Sequence, residues 1–160
     1  AWGLTFERMR PGLVAYRPQA HRCEPIREVG GVLWINDSKA TNLDSVDKAL
    51  RSQDRPVILI AGGKEKGFDY LPLRALVAER CRAAVLIGEM AGRIACDWDG
   101  AVPCERAATL AEAVAAAARM ARPGDVVLLS PGTSSFDMFR NYQDRGEQFR
   151  ALVEQLTQSP

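Results

Sequence analysis

Apolar runs alternate along this chain with segments whose apolar residues recur at helical spacing. Residues 32–35, with Val32, Trp34 and Ile35, follow Gly30-Gly31, which predicts a strand entered from a tight turn and a partner strand over 23–28. Beyond the polar stretch 36–42, Leu43, Val46, Ala49 and Leu50 fall on one helical face, and Asn42 or Asp44 can cap that helix. Residues 56–61 are apolar throughout and end in Gly62-Gly63, the pattern of a strand covered on both faces. The same periodicities predict a helix over 71–81, a buried strand over 83–88, a short helix over 90–96 and a further strand over 101–104. An alanine-rich helix over 108–121 is stopped by Arg122-Pro123-Gly124, residues 125–130 repeat the buried-strand pattern, and a helix through Phe149 and Leu156 closes the chain. Near the start, residues 4–16 have scattered helical character, cut by Pro11-Gly12 and followed by Arg17-Pro18. They read as the tail of a preceding unit.

Strands and helices alternating through short connections imply right-handed crossovers. The predicted fold is α/β: a Rossmann-like, mostly parallel sheet with helices on both faces. Ligands of such sheets sit at the carboxyl ends of the strands, which here deliver loops 36–42, 62–69 and 130–137. The first packs Asp37, Ser38, Lys39 and Thr41 behind an apolar strand. A plain turn does not need the lysine, although Asp37, Ser38 and Asn42 are also ordinary turn and capping residues. The second, with Gly62, Gly63, Lys64, Lys66 and Gly67, combines close backbone approach with point charges suited to a carboxylate or phosphate, and equally fits a glycine-rich surface turn. The third places the hydroxyls of Ser130, Thr133, Ser134 and Ser135 before an expected helix start, where free N–H groups attract anions.

Composition narrows the chemistry. A chain of 160 residues suits one domain, or one domain with a short remnant of a neighbour. Lys and Arg number 21 against 20 for Asp and Glu, so no global field draws the chain to nucleic acid or an anionic membrane, and an anionic ligand must meet local charges. Cys23, Cys81, Cys96 and Cys104 form no CxxC pair, and with His21 as the single histidine neither a metal site nor a Ser-His hydrolase is expected. The cysteines read as reduced, partly buried small hydrophobes, with a cytoplasmic location to match. No secretory leader is visible, and no apolar stretch approaches the roughly 18 residues that a membrane span needs. The GxxxxGK[ST] spacing of a triphosphate cradle is absent, so the chain alone is not expected to hydrolyse ATP.

The string Asn36-Asp37-Ser38-Lys39-Ala40-Thr41-Asn42 resembles the signature of the D-glutamate-adding branch of the Mur ligase family. Further pieces follow in that family's order. His21-Arg22 with Glu24 resembles its interdomain linker, and Gly62-Gly63 with Lys66 and Ser130-Pro131 through Ser135, Phe136, Asp137 and Phe139 resemble its later loops. Sister ligases carry a Tyr-Ala-His or Gly-Ala-His core after the first strand, which is lacking here. The resemblance implies a carboxy-terminal, amino-acid-binding domain over residues 21–160, with 1–20 as the end of a central domain and its hinge. It implies an ADP-forming ligase of peptidoglycan synthesis, monomeric, using ATP, magnesium, D-glutamate and UDP-N-acetylmuramoyl-L-alanine, with the phosphate loop and magnesium ligands in the central domain. Carried over residue by residue, Thr41, Lys66, Ser135 and Phe136 would hold D-glutamate with Tyr142 nearby. Arg22, Asp37 and Lys39 would face ATP, Lys39 also facing the developing acyl phosphate. The additional Lys64-Glu65 departs from the family pattern and leaves two lysines as candidates for the amino acid. The alternatives are a sister ligase adding another amino acid and a stand-alone Rossmann-like binding module.

Overall fold

The computed structural model describes residues 5–15 and 19–157. Its centre is one six-stranded sheet in the order β1-β2-β6-β3-β4-β5. Strands β1 (Glu24–Val29) and β2 (Val32–Asn36) form an antiparallel hairpin, and β2, β6 (Val126–Leu129), β3 (Val57–Gly62), β4 (Cys81–Ile87) and β5 (Cys104–Arg106) run parallel. Side chains alternate across the sheet as period-2 geometry requires. Val57, Leu59 and Ala61 of β3 join one core with α2 (Leu43–Arg51), α3 (Arg74–Arg80) and α4 (Ala91–Asp97). Ile58 and Ile60 join the other, with α5 (Leu110–Met120) and α6 (Tyr142–Glu154). Every residue of β3 is buried, and each large aliphatic side chain so enclosed contributes roughly 1.5–3 kcal/mol. The α/β fold with helices on both faces is therefore as predicted.

Several boundaries differ from expectation for local reasons. Helix α1 (Phe6–Ala15) runs through Pro11-Gly12, where a break was expected. Proline's φ suits a helix, and the bond it forfeits falls to Glu7, on an exposed turn where water can serve. The Arg17-Pro18 stop lies outside the described residues. The helix expected over 71–81 is a 3-10 turn, Leu71–Leu73, leading into α3. Cys81 already turns extended as the first residue of β4, so that strand starts two residues early. The edge strand predicted over 101–104 is Cys104–Arg106 instead, because Pro103 has no N–H to donate and offers only its carbonyl, to Ala84 N at 2.9 Å. Helix α5 begins after Thr109, whose hydroxyl accepts from Glu112 N, and α6 ends before Leu156. Of the two candidate caps on α2, Asn42 does the work, accepting from Ser45 N at 2.9 Å. Cys23, Cys81 and Cys104 pack against the first core as expected, whereas Cys96 is exposed. Burial pushes the Cys81 thiol up to about 12, so it stays protonated.

Candidate ligand site at the carboxyl edge of the sheet

Because β2, β6 and β3 are neighbours, the three loops leave the sheet side by side, and backbone hydrogen bonds stitch them together. Gly132 N donates to Ala40 O, joining the third loop to the first, and Gly62 N donates to Pro131 O, joining the second to the third, both at 2.9 Å. Lys64 N donates to Ser134 O at 2.9 Å as an isolated antiparallel bridge. This close approach requires glycine at 63, where φ is +140° and a Cβ would collide with the Ser134 carbonyl. Met90 N, after β4, donates to Gly63 O at 3.0 Å, adding a fourth strand end.

In the first loop Asp37 is buried. Its Oδ1 accepts from Cys23 N (3.1 Å) and its Oδ2 from Ser130 Oγ (2.8 Å). Burial raises this carboxyl above its ordinary value against the hydrogen bonds from Ser130 and Cys23. Each oxygen keeps a second lone pair for a ligand hydroxyl. Lys39 N donates to His21 O at 3.0 Å, and Lys39 Nζ lies 5.2 Å from the centre of the Tyr142 ring. An open groove of about 390 Å³ is lined by Arg22, Cys23, Asp37, Lys39 and Lys48, so Arg22, Asp37 and Lys39 share one cavity with an excess of cations. His21 anchors this side. Its Nδ1 accepts from Asn36 Nδ2 (3.0 Å), which puts the ring proton on Nε2 toward Glu147 Oε1 at 3.4 Å. The Asn36 amide is itself oriented by Gly146 O and Ser38 N.

In the second loop Lys64 Nζ is 3.7 Å from Glu89 Oε1, whereas Lys66 lies over the Phe68 ring at 5.2 Å and has no carboxylate partner among the described residues. The third loop corrects an expectation. Its hydroxyls do not precede a helix directly, since Met138 N and Phe139 N close a turn onto Ser135 O and α6 starts only at Tyr142, capped by Asn141. Two of its four hydroxyls are engaged internally, Ser130 with Asp37 and Thr133 with Lys64 O. Ser135 is buried beside them and Phe136 is 66% exposed at the loop tip. Thr41 is half-buried one residue beyond the Ala40 carbonyl that Gly132 holds.

Arg145 was missed from the sequence. It is fully buried, and its guanidinium donates to Ser38 Oγ, Ser38 O and Thr133 O. Burial lowers it to about 10, so it remains charged at neutral pH. A sequence signal did exist, since Arg145 stands four residues before Phe149 and eight before Val153, on the buried stripe of α6. Among the described residues no group of three His, Cys, Asp or Glu could hold a metal, and no helix is long and apolar enough to cross a membrane.

The site can therefore offer cations and hydroxyls to a small anion, and a cationic groove to a phosphate-bearing one. The family described as "Mur ligase, glutamate ligase domain" matches residues 21–133. The chain is 52% identical over 159 residues to a UDP-N-acetylmuramoylalanine--D-glutamate ligase of Marinobacter nauticus, covering 98% of this chain and 36% of the relative. It is 48% identical over 160 residues to that of Pseudomonas aeruginosa, covering 98% and 36%. It thus spans about a third of the length of these relatives. Among solved structures it is similar to the bifunctional folylpolyglutamate synthase/dihydrofolate synthase from Yersinia pestis CO92, with TM-score 0.64, 18% identity, and 94% of this chain and 35% of that one covered. It is also similar to the Mycobacterium tuberculosis folylpolyglutamate synthase, with TM-score 0.61, 14% identity, and 92% and 36% covered. At such identities these two share the fold.

Proposed function

The chain belongs to the Mur ligase family, and from that premise we propose that residues 21–160 are the carboxy-terminal domain of a ligase joining D-glutamate to UDP-N-acetylmuramoyl-L-alanine. Residues 1–20 would close a central domain and supply the hinge. ATP phosphorylates the nucleotide precursor's terminal carboxylate, releasing ADP. The amine of D-glutamate attacks the acyl phosphate, the C–O bond to phosphate breaks, and an amide and inorganic phosphate result. The enzyme would act as a cytoplasmic monomer in peptidoglycan synthesis. Magnesium would offset the phosphate charge from ligands outside the described residues.

The observation that carries this reading is the stitching of three polar loops along one sheet edge, which would let two cationic loops and a hydroxyl loop converge on one small ligand. Thr41, Lys66 and Ser135 would read the two carboxylates of D-glutamate, and Phe136 and Tyr142 would cover its methylenes. Lys66 suits this better than Lys64, whose ammonium is already drawn to Glu89. Arg22 and Lys39 would meet phosphates, and Asp37 would accept from the ribose.

The test is ADP release by the full-length protein with ATP, magnesium and UDP-N-acetylmuramoyl-L-alanine. Release should depend on D-glutamate, while the 160-residue chain alone turns over nothing. D-Glutamine should lose about 2–5 kcal/mol of transition-state binding, because a cation is left without its counter-charge. Comparable rates with D-glutamine would overturn the assignment of Lys66 and Ser135.

A further inference from the structure

Arg145 lies in the first turn of α6 at 0% exposure, yet no carboxylate among the described residues comes within 4.0 Å of it. Its donors meet only neutral oxygens. Nε donates to Ser38 Oγ (3.0 Å), Nη2 to Ser38 O (2.8 Å), and Nη1 and Nη2 to Thr133 O (3.4 and 3.3 Å). Ser38 belongs to the first loop and Thr133 to the third. Gly63 of the second packs on the same group, since a Cβ there would stand 3.4 Å from Nη1. Ser38 Oγ passes the contact on by donating to Tyr142 O at 2.8 Å. The Asp137 carboxylate acts on Arg145 only from beyond ion-pair distance, and a buried cation with no direct ion pair is a poor device for stability. What a guanidinium supplies is a rigid planar fork of five donors that can hold two loops at once, which an ammonium cannot.

We propose that Arg145 is a positioning residue that fixes the first loop against the third and so sets the spacing of Thr41 and Ser135 around the amino acid. Ser38 stands three residues before Thr41, and Thr133 two residues before Ser135, so a slip at the fork is carried along both short loop segments into both contact groups. Displacements of about 1 Å are enough to degrade a reacting geometry. The identity of the ligand rests on the D-glutamate reading, whereas the loop spacing does not.

The experiment uses the full-length protein and three variants. Arg145→Lys keeps the charge and loses the fork, Arg145→Met loses both, and Ser38→Ala removes one acceptor, together with the Ser38 bond to Tyr142 O, while leaving the guanidinium in place. In Arg145→Lys the KM for D-glutamate should rise about tenfold or more, as for loss of hydrogen bonds to a charged group, and in Ser38→Ala about threefold, in the range of a single ordinary hydrogen bond. The KM for the nucleotide precursor should stay within about twofold. Amide exchange at Ala40 and Gly132, whose N–H groups close the first loop and tie it to the third, should quicken about tenfold in Arg145→Lys with β3 unaffected. A stability role alone would lower the melting temperature and leave KM and these two amides unchanged in the folded variants, and that result overturns the proposal. Should both Arg145 variants fail to fold, Ser38→Ala decides by the same two readouts. A parent enzyme that ignores D-glutamate would remove the functional reading, while exchange at Ala40 and Gly132 would still decide for or against Arg145.

Discussion

At the amino edge of the sheet Asp125 is 1% exposed, and its carboxylate is met by Arg82 at 2.8 and 3.0 Å and by Arg122 N at 2.9 Å. At the carboxyl edge Asp37 and Arg145 are also buried, and neither has an opposite charge within ion-pair distance among the described residues. The consequences for protonation are opposite. Burial alone would raise the Asp125 carboxyl, but the Arg82 and Arg122 contacts outweigh it and hold the group below its ordinary value. Burial raises Asp37 and lowers Arg145, each toward its neutral form. A saturated charge holds a fold together. Buried charges without a direct ion pair cost stability and tend to gather at functional edges, which is why the carboxyl edge reads as the working edge.

Three sets of substitutions sharpen or break that contrast. Lys39→Ala in the full-length protein should lower turnover about a hundredfold, as for loss of one donor facing charge that grows in the transition state. Its melting temperature should stay within about 2 °C, because the ammonium lies 5.2 Å from the Tyr142 ring centre and makes no ion pair among the described residues. Turnover within threefold of the parent would mark Lys39 as a solvated loop residue. At the other edge, Arg82→Met should leave turnover intact and cost about 2 kcal/mol in denaturant titrations at neutral pH, since it strands the buried Asp125. The sign with pH follows from the depressed carboxyl. The pair's contribution is present above the ordinary carboxylate value near 4 and is lost as pH falls through the lower folded value. Parent and variant stabilities should therefore converge in acid, and a gap that persists there would contradict the pairing. The smallest effect concerns the two lysines of the second loop. Lys66→Ala should raise the KM for D-glutamate about tenfold. Lys64→Ala should change it less than about threefold, because its pair with Glu89 is half exposed. The reverse ranking would exchange their roles.

Local sequence was a good guide wherever one element's own pattern sufficed. The continuous apolar run of β3, the spacing of Val46, Ala49 and Leu50 in α2, and the Pro123-Gly124 stop after α5 each identify an element without reference to the rest of the chain. The loops behind β2, β3 and β6 were legible for a related reason, since each is a cluster of polar and glycine residues directly behind an apolar run. Boundaries were less legible where a neighbour decided them, as at Cys81, which leaves its helix to pair with β3, and at Cys104, which pairs with Ala84.

The alternation of apolar runs and helical spacings determined by itself that this chain forms a mostly parallel sheet covered on both faces, because those periods follow from backbone geometry and from the need to bury apolar side chains. It also marked the three loops and their lysines and hydroxyls. Only the tertiary structure decided which of those groups remain available. Ser130 and Thr133 turn inward, Lys64 is drawn to Glu89, and Arg145, more than a hundred residues from Ser38 in the chain, closes on it at 2.8 Å. Hydrogen bonds and ion pairs depend on distances of a few tenths of an ångström between residues remote in sequence, and no local pattern encodes them.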